Sequence, residues 1–348
     1  MSLSALRSVG DALDVTRQFL MPIAARKIGL LAFIVAFMGT AGTPVPASPQ
    51  FLDPRLWRGL EQTPAETDIV TGISVGAIGE ILAVLPAWAT PVIIGILFIG
   101  ILYLITGMLM RFVLVEALQT GTVRIIQPAK AHIRDAFQVV VFRAVLWGLL
   151  LLPIGGAVSV VLNLGPDWLP SAPAIVAVGG VLAIGLWIID VLTIQFVLPV
   201  MIHKGEGIIS AWRRFTQPLR AHWIEYVVYA VIRVLLGVAV GILALIAVAV
   251  GILSIGIILG TVAGIIILLS GGLGSFGAGT TAILGILGFV FIVASIVVFA
   301  VVSVPFHTYL WYYALLVLGD TDEDLDLIAE QRATARENGE LSQGGFKH

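Results

Sequence analysis

The chain has 348 residues, of which 59% are hydrophobic and only 11% charged, with a mean hydropathy of +1.07. A soluble domain is about 45–50% apolar and about 25% charged, so a fold of this size has too little interior to hide the excess, and a soluble globular protein is excluded. The formal net charge is -2 and cysteine is absent, which excludes disulfides and thiolate chemistry.

Several runs exceed the ~18–20 consecutive apolar residues that cross a hydrocarbon core. They are continuous rather than alternating, so the spans are helices and not barrel strands. The expected fold class is all-α, a polytopic transmembrane helix bundle.

At the N-terminus, Arg7, Asp11, Asp14 and Arg17 alternate with Leu3, Leu6, Val9, Leu13 and Leu20. That spacing gives a helix one apolar face, and residues 1–27 are expected to lie on the membrane surface as an amphipathic interfacial helix. Arg26 and Lys27 flank a first span at 28–45. Residues 44–68 are a proline-rich polar excursion. Residues 69–86 are interrupted by Gly72, Gly76, Gly79 and Glu80 and read as a re-entrant or interfacial helix.

Spans are expected at 88–112, 138–162 and 174–201, the last two joined by a short polar turn at 163–173. The apolar run 226–270 carries a single charge, Arg233. It is too long for one span, so a crossing followed by re-entry of 253–270 is expected. A final span at 281–306 runs into the aromatic cluster Phe306, Tyr309, Trp311, Tyr312 and Tyr313, which suits a headgroup belt. This gives six spans as three helical hairpins within a bundle at 28–318. An acidic tail at 319–348 is expected to be soluble and partly disordered.

Lys and Arg crowd the connections on one side of these spans: Arg26 and Lys27, then Arg111, Arg124, Lys130 and Arg134, then Lys204, Arg213, Arg214 and Arg220. The opposite side carries Arg55 and Arg58. The positive-inside rule places the basic links and both termini in the cytoplasm of a multi-pass plasma-membrane protein.

The two central links echo each other. Phe112-Val-Leu recurs at Phe196-Val-Leu, Ile125-Ile126 at Ile208-Ile209, Lys130 at Arg213 and Arg143 at Arg233. Each unit is a span end, a basic link and a span start with one internal arginine, which indicates an internal repeat of parallel topology. In the second link, Ile208, Ile209, Trp212, Phe215 and Leu219 are expected to share one face. Arg213, Arg214 and Arg220 lie mainly on the others, an arrangement suited to anionic headgroups and also sufficient merely to set topology.

The stretches VGDALDVTRQFLMP at 9–22, GIISAWRRFTQPLRAHWIEYVVYAVIRVLLG at 207–237 and HTYLWYYALLVLGDTDEDLDLI at 307–328 resemble an uncharacterised family of multi-spanning proteins of halophilic archaea. More distantly, they are similar to the membrane domain attached to some glycerophosphodiester phosphodiesterases. The resemblance implies a membrane bundle and carries over no catalytic residue.

Among single residues, Asp190 stands out near the middle of its span. An intramembrane carboxylate is costly and marks a paired or functional site. Its expected partner is Arg143 or Arg233, in a packing ion pair or on a proton or ion path. Gly272-LGSF-Gly277 matches G-x-G-x-x-G but lacks the strand and βαβ setting of a nucleotide site. The G-x-x-x-G steps at Gly237/Gly241 and Gly256/Gly260/Gly264 suit close helix packing. The histidines are scattered, with no i, i+4 pair for a metal. No catalytic or cofactor-binding set emerges, and the expectation is a non-enzymatic membrane protein whose partners are lipids, with a protein partner or a homo-oligomer and no nucleic acid. A transporter or channel with Asp190 in its pathway is the alternative.

Overall fold

The computed structural model describes residues 4–38, 89–164, 172–272 and 277–344. The proline-rich excursion, the 69–86 segment with Glu80, and most of the 163–173 turn and of the glycine-rich loop fall outside these residues.

The described residues form helices and no strands. In order they are α1 (Ser4–Leu20), α2 (Ala25–Met38), α3 (Ala89–Thr120), α4 (Ile126–Ala131), α5 (Ile133–Leu164), α6 (Ala172–Leu192), α7 (Leu198–Lys204), α8 (Ile208–Ala221), α9 (Trp223–Leu269), α10 (Ala278–Thr321) and α11 (Ala329–Gly344). A π-helical turn, Thr193–Val197, joins α6 to α7 without a break. Four stretches among them are long and apolar enough to cross a membrane: Ala89–Thr120, Val178–Lys204, Trp223–Leu269 and Ala278–Thr321. A helix satisfies its own backbone, which is the condition for a segment in lipid.

The expected break in 226–270 is absent. Helix α9 runs for 47 residues, about 70 Å at ~1.5 Å per residue. Its glycines do not interrupt it, because in a lipid-facing helix no water competes for the backbone hydrogen bonds. It pairs antiparallel with α10. The small residues on the contact line are Gly251 against Val298 and Gly256 against Phe291, whereas Gly241, Gly260 and Gly264 face open space. Of the expected glycine steps, only part therefore meets the partner helix.

Fully buried side chains gather at one end of the bundle: Phe112, Leu114 and Leu118 of α3, Phe196 and Leu198, Phe215 of α8, and Tyr312 and Tyr313 of α10. Away from that end, α3, α6, α9 and α10 turn Ile96, Phe98, Leu182, Leu245 and Phe289 outward. Such a surface is stable only where the surroundings are apolar.

At the packed end, two elbows share one construction. Gly121 after α3 (φ 70°) and Gly205 after α7 (φ 64°) take the left-handed conformation that glycine adopts without steric cost. A short helix follows, with a buried proline: Pro128 in α4, Pro218 in α8. The histidine after each helix donates its N–H to that proline's carbonyl, His132 to Pro128 at 3.0 Å and His222 to Pro218 at 2.9 Å. Helices α5 and α9 then begin. In α8 the buried face is Ile208, Ala211, Phe215 and Pro218. Ile209, expected on that face, is 75% exposed, and Ile126 in α4 is 71% exposed; the helix turns its smallest residue, Ala211, inward and so sends Ile209 out.

Helix α1 has one buried face and one open face. Ser8, Ala12, Val15, Thr16 and Phe19 are buried, and Leu6 and Leu13 are exposed. Small side chains at Ser8 and Ala12 let α1 approach α10 closely, and the leucines are left for the surface. The acidic tail is not loose: Leu325, Leu327, Ile328 and Ala335 are buried. Arg332 bridges Asp320 at 2.9 Å and Asp326 at 2.5 Å, and Arg336 bridges Asp320 and Asp11. Of the tail's carboxylates, Asp320 and Asp326 are matched by arginines one helical turn apart in α11.

Candidate functional site: a layer of buried arginines

Three arginines lie at one level. Arg111 is about 15 Å along α3 from Gly121. Arg143 and Arg233 are each about 15 Å from the first residues of α5 and α9. The level is set by the elbows: each helix enters or leaves the packed end at a fixed place, so equal counts along the chain give equal depth.

Asp190 of α6 sits among them, 6% exposed. Arg143 holds it with both arms of its guanidinium, Nε donating to Oδ1 at 2.6 Å and Nη2 to Oδ2 at 2.8 Å. The bidentate fork is the strongest geometry for this pair of groups. Of the two partners expected for Asp190, the structure brings Arg143 to it and not Arg233.

The π-helical turn follows Asp190 directly. A π turn inserts an extra residue into the helical ladder and rotates the side chains after it. Here it turns Gln195 inward, where Tyr229 Oη donates to Gln195 Oε1 at 3.2 Å. It also places Thr193 Oγ1 to accept from Trp212 Nε1 of α8 at 3.1 Å. Tyr229 stacks on Tyr313, centroids 5.1 Å apart, and meets Phe196 edge-on at 5.0 Å. Phe196 stacks on Phe215 at 5.3 Å.

Arg111 and Arg233 have no carboxylate within ion-pair distance among the described residues. Arg111, 2% exposed, donates from Nη2 to the carbonyl of Met38 at 3.2 Å and points Nη1 at Met108 Sδ. Arg233, 6% exposed, has a buried Nε with no hydrogen-bond partner. It neighbours Tyr229 Oη. His307 of α10 is within electrostatic range of both Arg233 and Arg111. Among the described residues the layer thus sets three guanidinium groups against one carboxylate.

The three arginines expected at headgroups, Arg213, Arg214 and Arg220, are all exposed on α8. Arg214 is engaged by Glu206, Nε to both carboxylate oxygens at 3.0 Å, and this partner holds the Glu206 carboxyl below its ordinary range. Arg213 and Arg220 are left on the outer surface beside Ile209. In the first elbow His132 lies between Glu116 at 3.1 Å and Asp135 at 3.2 Å. Among the described residues no three of His, Cys, Asp and Glu cluster as metal ligands would.

One signal escaped the sequence reading. Pro128, Lys130, Ala131, His132, Asp135 and Arg143 correspond in order and spacing to Pro218, Arg220, Ala221, His222, Glu225 and Arg233. Counted back from the elbow glycines, Arg111 and Gln195 occupy one position.

The features described define a helical protein with membrane-crossing helices and an arginine-rich layer inside one end of them. Within that class, the chain belongs to DUF7544, a family of unknown function whose profile matches residues 3–328. No curated protein and no solved structure matches it.

Proposed function

We propose that this is a non-enzymatic bundle of the plasma membrane that binds lipid, with six spans arranged as three hairpins and both termini in the cytoplasm. The spans are α2, α3, α5, α6, α9 and α10, extended through residues outside those described. Support for an even number comes from α1 and α11, which meet at the packed end, Arg336 of α11 bridging Asp11 of α1 at 3.1 Å. Both elbows, with Lys and Arg on their surfaces, stand at that same end, which by charge is the cytoplasmic one. The matching elbows support growth by internal repeat, and the quoted resemblance supports an archaeal source.

The observation that carries lipid binding over transport is the Arg143–Asp190 fork. A carboxylate on a proton path must change protonation and partner, whereas this one is buried and held at both oxygens. Outside the layer, exposed Ile126, Ile209 and Trp223 alternate with Lys130, Arg213 and Arg220, the pattern of a surface immersed among headgroups. Each basic residue there contributes about 1 kcal/mol with anionic lipid.

The test is reconstitution into vesicles with and without anionic phospholipid, following lipid retained through purification. R213Q/R220Q is expected to reduce retention about 10- to 30-fold, from the two lost charges. Proton or solute flux into proteoliposomes that disappears in D190N and leaves lipid retention intact would replace this reading with the transporter.

A further inference from the structure

Lengths measured from the arginine layer fix where it stands in a bilayer. From Arg111 back to Ala89 is about 33 Å of helix, from Arg143 to Leu164 about 32 Å, and from Asp190 back to Ala172 about 27 Å. Each matches a hydrocarbon core of about 30 Å. The remaining stretch from the layer to the elbows, ~15 Å on α3 and α5 and ~22 Å from Asp190 to Gly205, spans the headgroup zone. The arginines therefore stand at the depth of the lipid phosphates, but inside the bundle.

At that depth an unneutralised guanidinium is anomalous. A buried charge is stable only when paired and hydrogen-bonded. Arg143 meets the condition through Asp190. Arg233 meets it only in part: Tyr229 Oη accepts from its guanidinium, no carboxylate stands within ion-pair distance among the described residues, and its Nε is buried without a partner. The Tyr229 proton is committed to Gln195, so the spare donor at this place is Arg233 itself. A guanidinium with a spare Nε–H suits an oxyanion with several acceptor oxygens, and guanidinium matches phosphate bidentately.

We infer that Arg233, with Tyr229 beside it, is a binding site for one phosphate ester, seated between α9 and the helices that face it. This rests on the lipid-binding reading and sharpens it: the ligand is the phosphate of a lipid at the same depth, held within the protein, and distinct from the loose association of headgroups with Arg213 and Arg220 on the elbow. Val231, Val234 and Leu235 beside Arg233 on α9 face outward, and the acyl chains of such a lipid lie along them.

The experiment measures thermal unfolding of the purified protein against added phosphatidylglycerol, against an uncharged glycolipid without phosphate, and against inorganic phosphate. Phosphatidylglycerol is expected to raise Tm saturably and the glycolipid to leave it unchanged. R233Q is expected to weaken the phosphatidylglycerol response about 10- to 100-fold, the loss of a charge-assisted hydrogen-bond pair, and R233K to restore part of it. An equal, Arg233-dependent response to inorganic phosphate supports the site with a soluble phosphate as its ligand. A wild-type response in R233Q that disappears in R213Q/R220Q overturns the site and leaves lipid binding standing at the elbows; no response to any phospholipid in any variant overturns both. Should R233Q not fold, a photoactivatable phospholipid on the wild-type chain decides: labelling on α9 or α10 near residues 229–235 or 304–313 supports the site, and labelling confined to 208–223 overturns it.

Discussion

Exchanging Asp190 for Asn changes almost no volume and removes the one negative charge of the arginine layer. Removing one partner from a buried pair costs about 3–5 kcal/mol. Arg143 retains 19% of its side-chain exposure, which places the loss of its fork in the lower half of that range. The remaining cations raise it again. Arg143 and Arg111 interact with one another as well as with Asp190, and at ~10 Å with an effective dielectric of about 20 each uncompensated pair costs about 1–2 kcal/mol. D190N is therefore expected to lose about 4–6 kcal/mol. R143Q is milder, about 2–3 kcal/mol, because it removes a cation from a positive cluster and leaves Asp190 in the field of Arg111. The order D190N worse than R143Q is the content of the prediction. Unfolding in lipid-doped detergent micelles, followed by tryptophan fluorescence, measures both, with Tm falling about 2 °C or more per kcal/mol. The double replacement R143L/D190L, which removes both charges, is expected to recover most of the D190N loss. An R143Q variant as unstable as D190N refutes the reasoning, since it means that the layer is not net positive as its side chains imply.

Gly107→Ala brings a Cβ to 2.7 Å from the carbonyl oxygen of Phe37, whereas Gly251→Ala brings one to 2.5 Å from Val298 Cγ1. The backbone carbonyl cannot rotate away and the valine can, so G107A is expected to cost about 1–3 kcal/mol and G251A less, by the same unfolding assay. Phe215→Ala removes a fully buried ring that touches Phe196, Trp212 and Tyr226, and is expected to cost about 3–5 kcal/mol, with faster proteolysis of the second elbow as an independent reading. The Glu206 carboxyl is held below its ordinary value by the hydrogen bond from Arg214. Its contribution is therefore present above the unfolded glutamate value and is lost as pH falls through the lower folded one. Curves of Tm against pH for wild type and E206Q are expected to separate by a small amount at neutral pH and to converge in acid; separation that grows in acid contradicts the assigned sign.

Long apolar helices, the basic end of the bundle and an arginine partner for Asp190 were legible because each depends on one-dimensional information: apolar run length, charge position and the cost of an unpaired carboxylate among apolar residues. What was not legible depends on which neighbour arrives. Asp190 had two arginines within plausible reach, and only the elbow geometry selects Arg143. The leucine face of α1 was legible from its spacing, but the burial of Ser8 and Ala12 was not, since it depends on the approach of α10. The run 226–270 looked too long for one span, yet α9 is continuous over 47 residues. The tail looked disordered from its acidity alone; the arginines that match it, Arg332 and Arg336, are in the same stretch, but the pairing needs the turn at Glu323–Leu325 to fold α11 back.

The contact between α1 and the end of α10 joins residues 312 positions apart in the chain. Ser8 reaches Asp320, and Asp11 reaches Arg336. At ~5–20 residues per second, roughly 15–60 s separate the emergence of one side of this contact from the other. Through that interval Ala12, Val15 and Phe19 have no permanent partner, and every intervening helix must be inserted before one exists. A nascent α1 can bridge the wait by lying on the bilayer through Leu6 and Leu13, the same side chains that stay exposed after assembly. Closure of α1 on α10 and α11 therefore waits on every helix between them, and a chain interrupted within α10 is left with the buried face of α1 open.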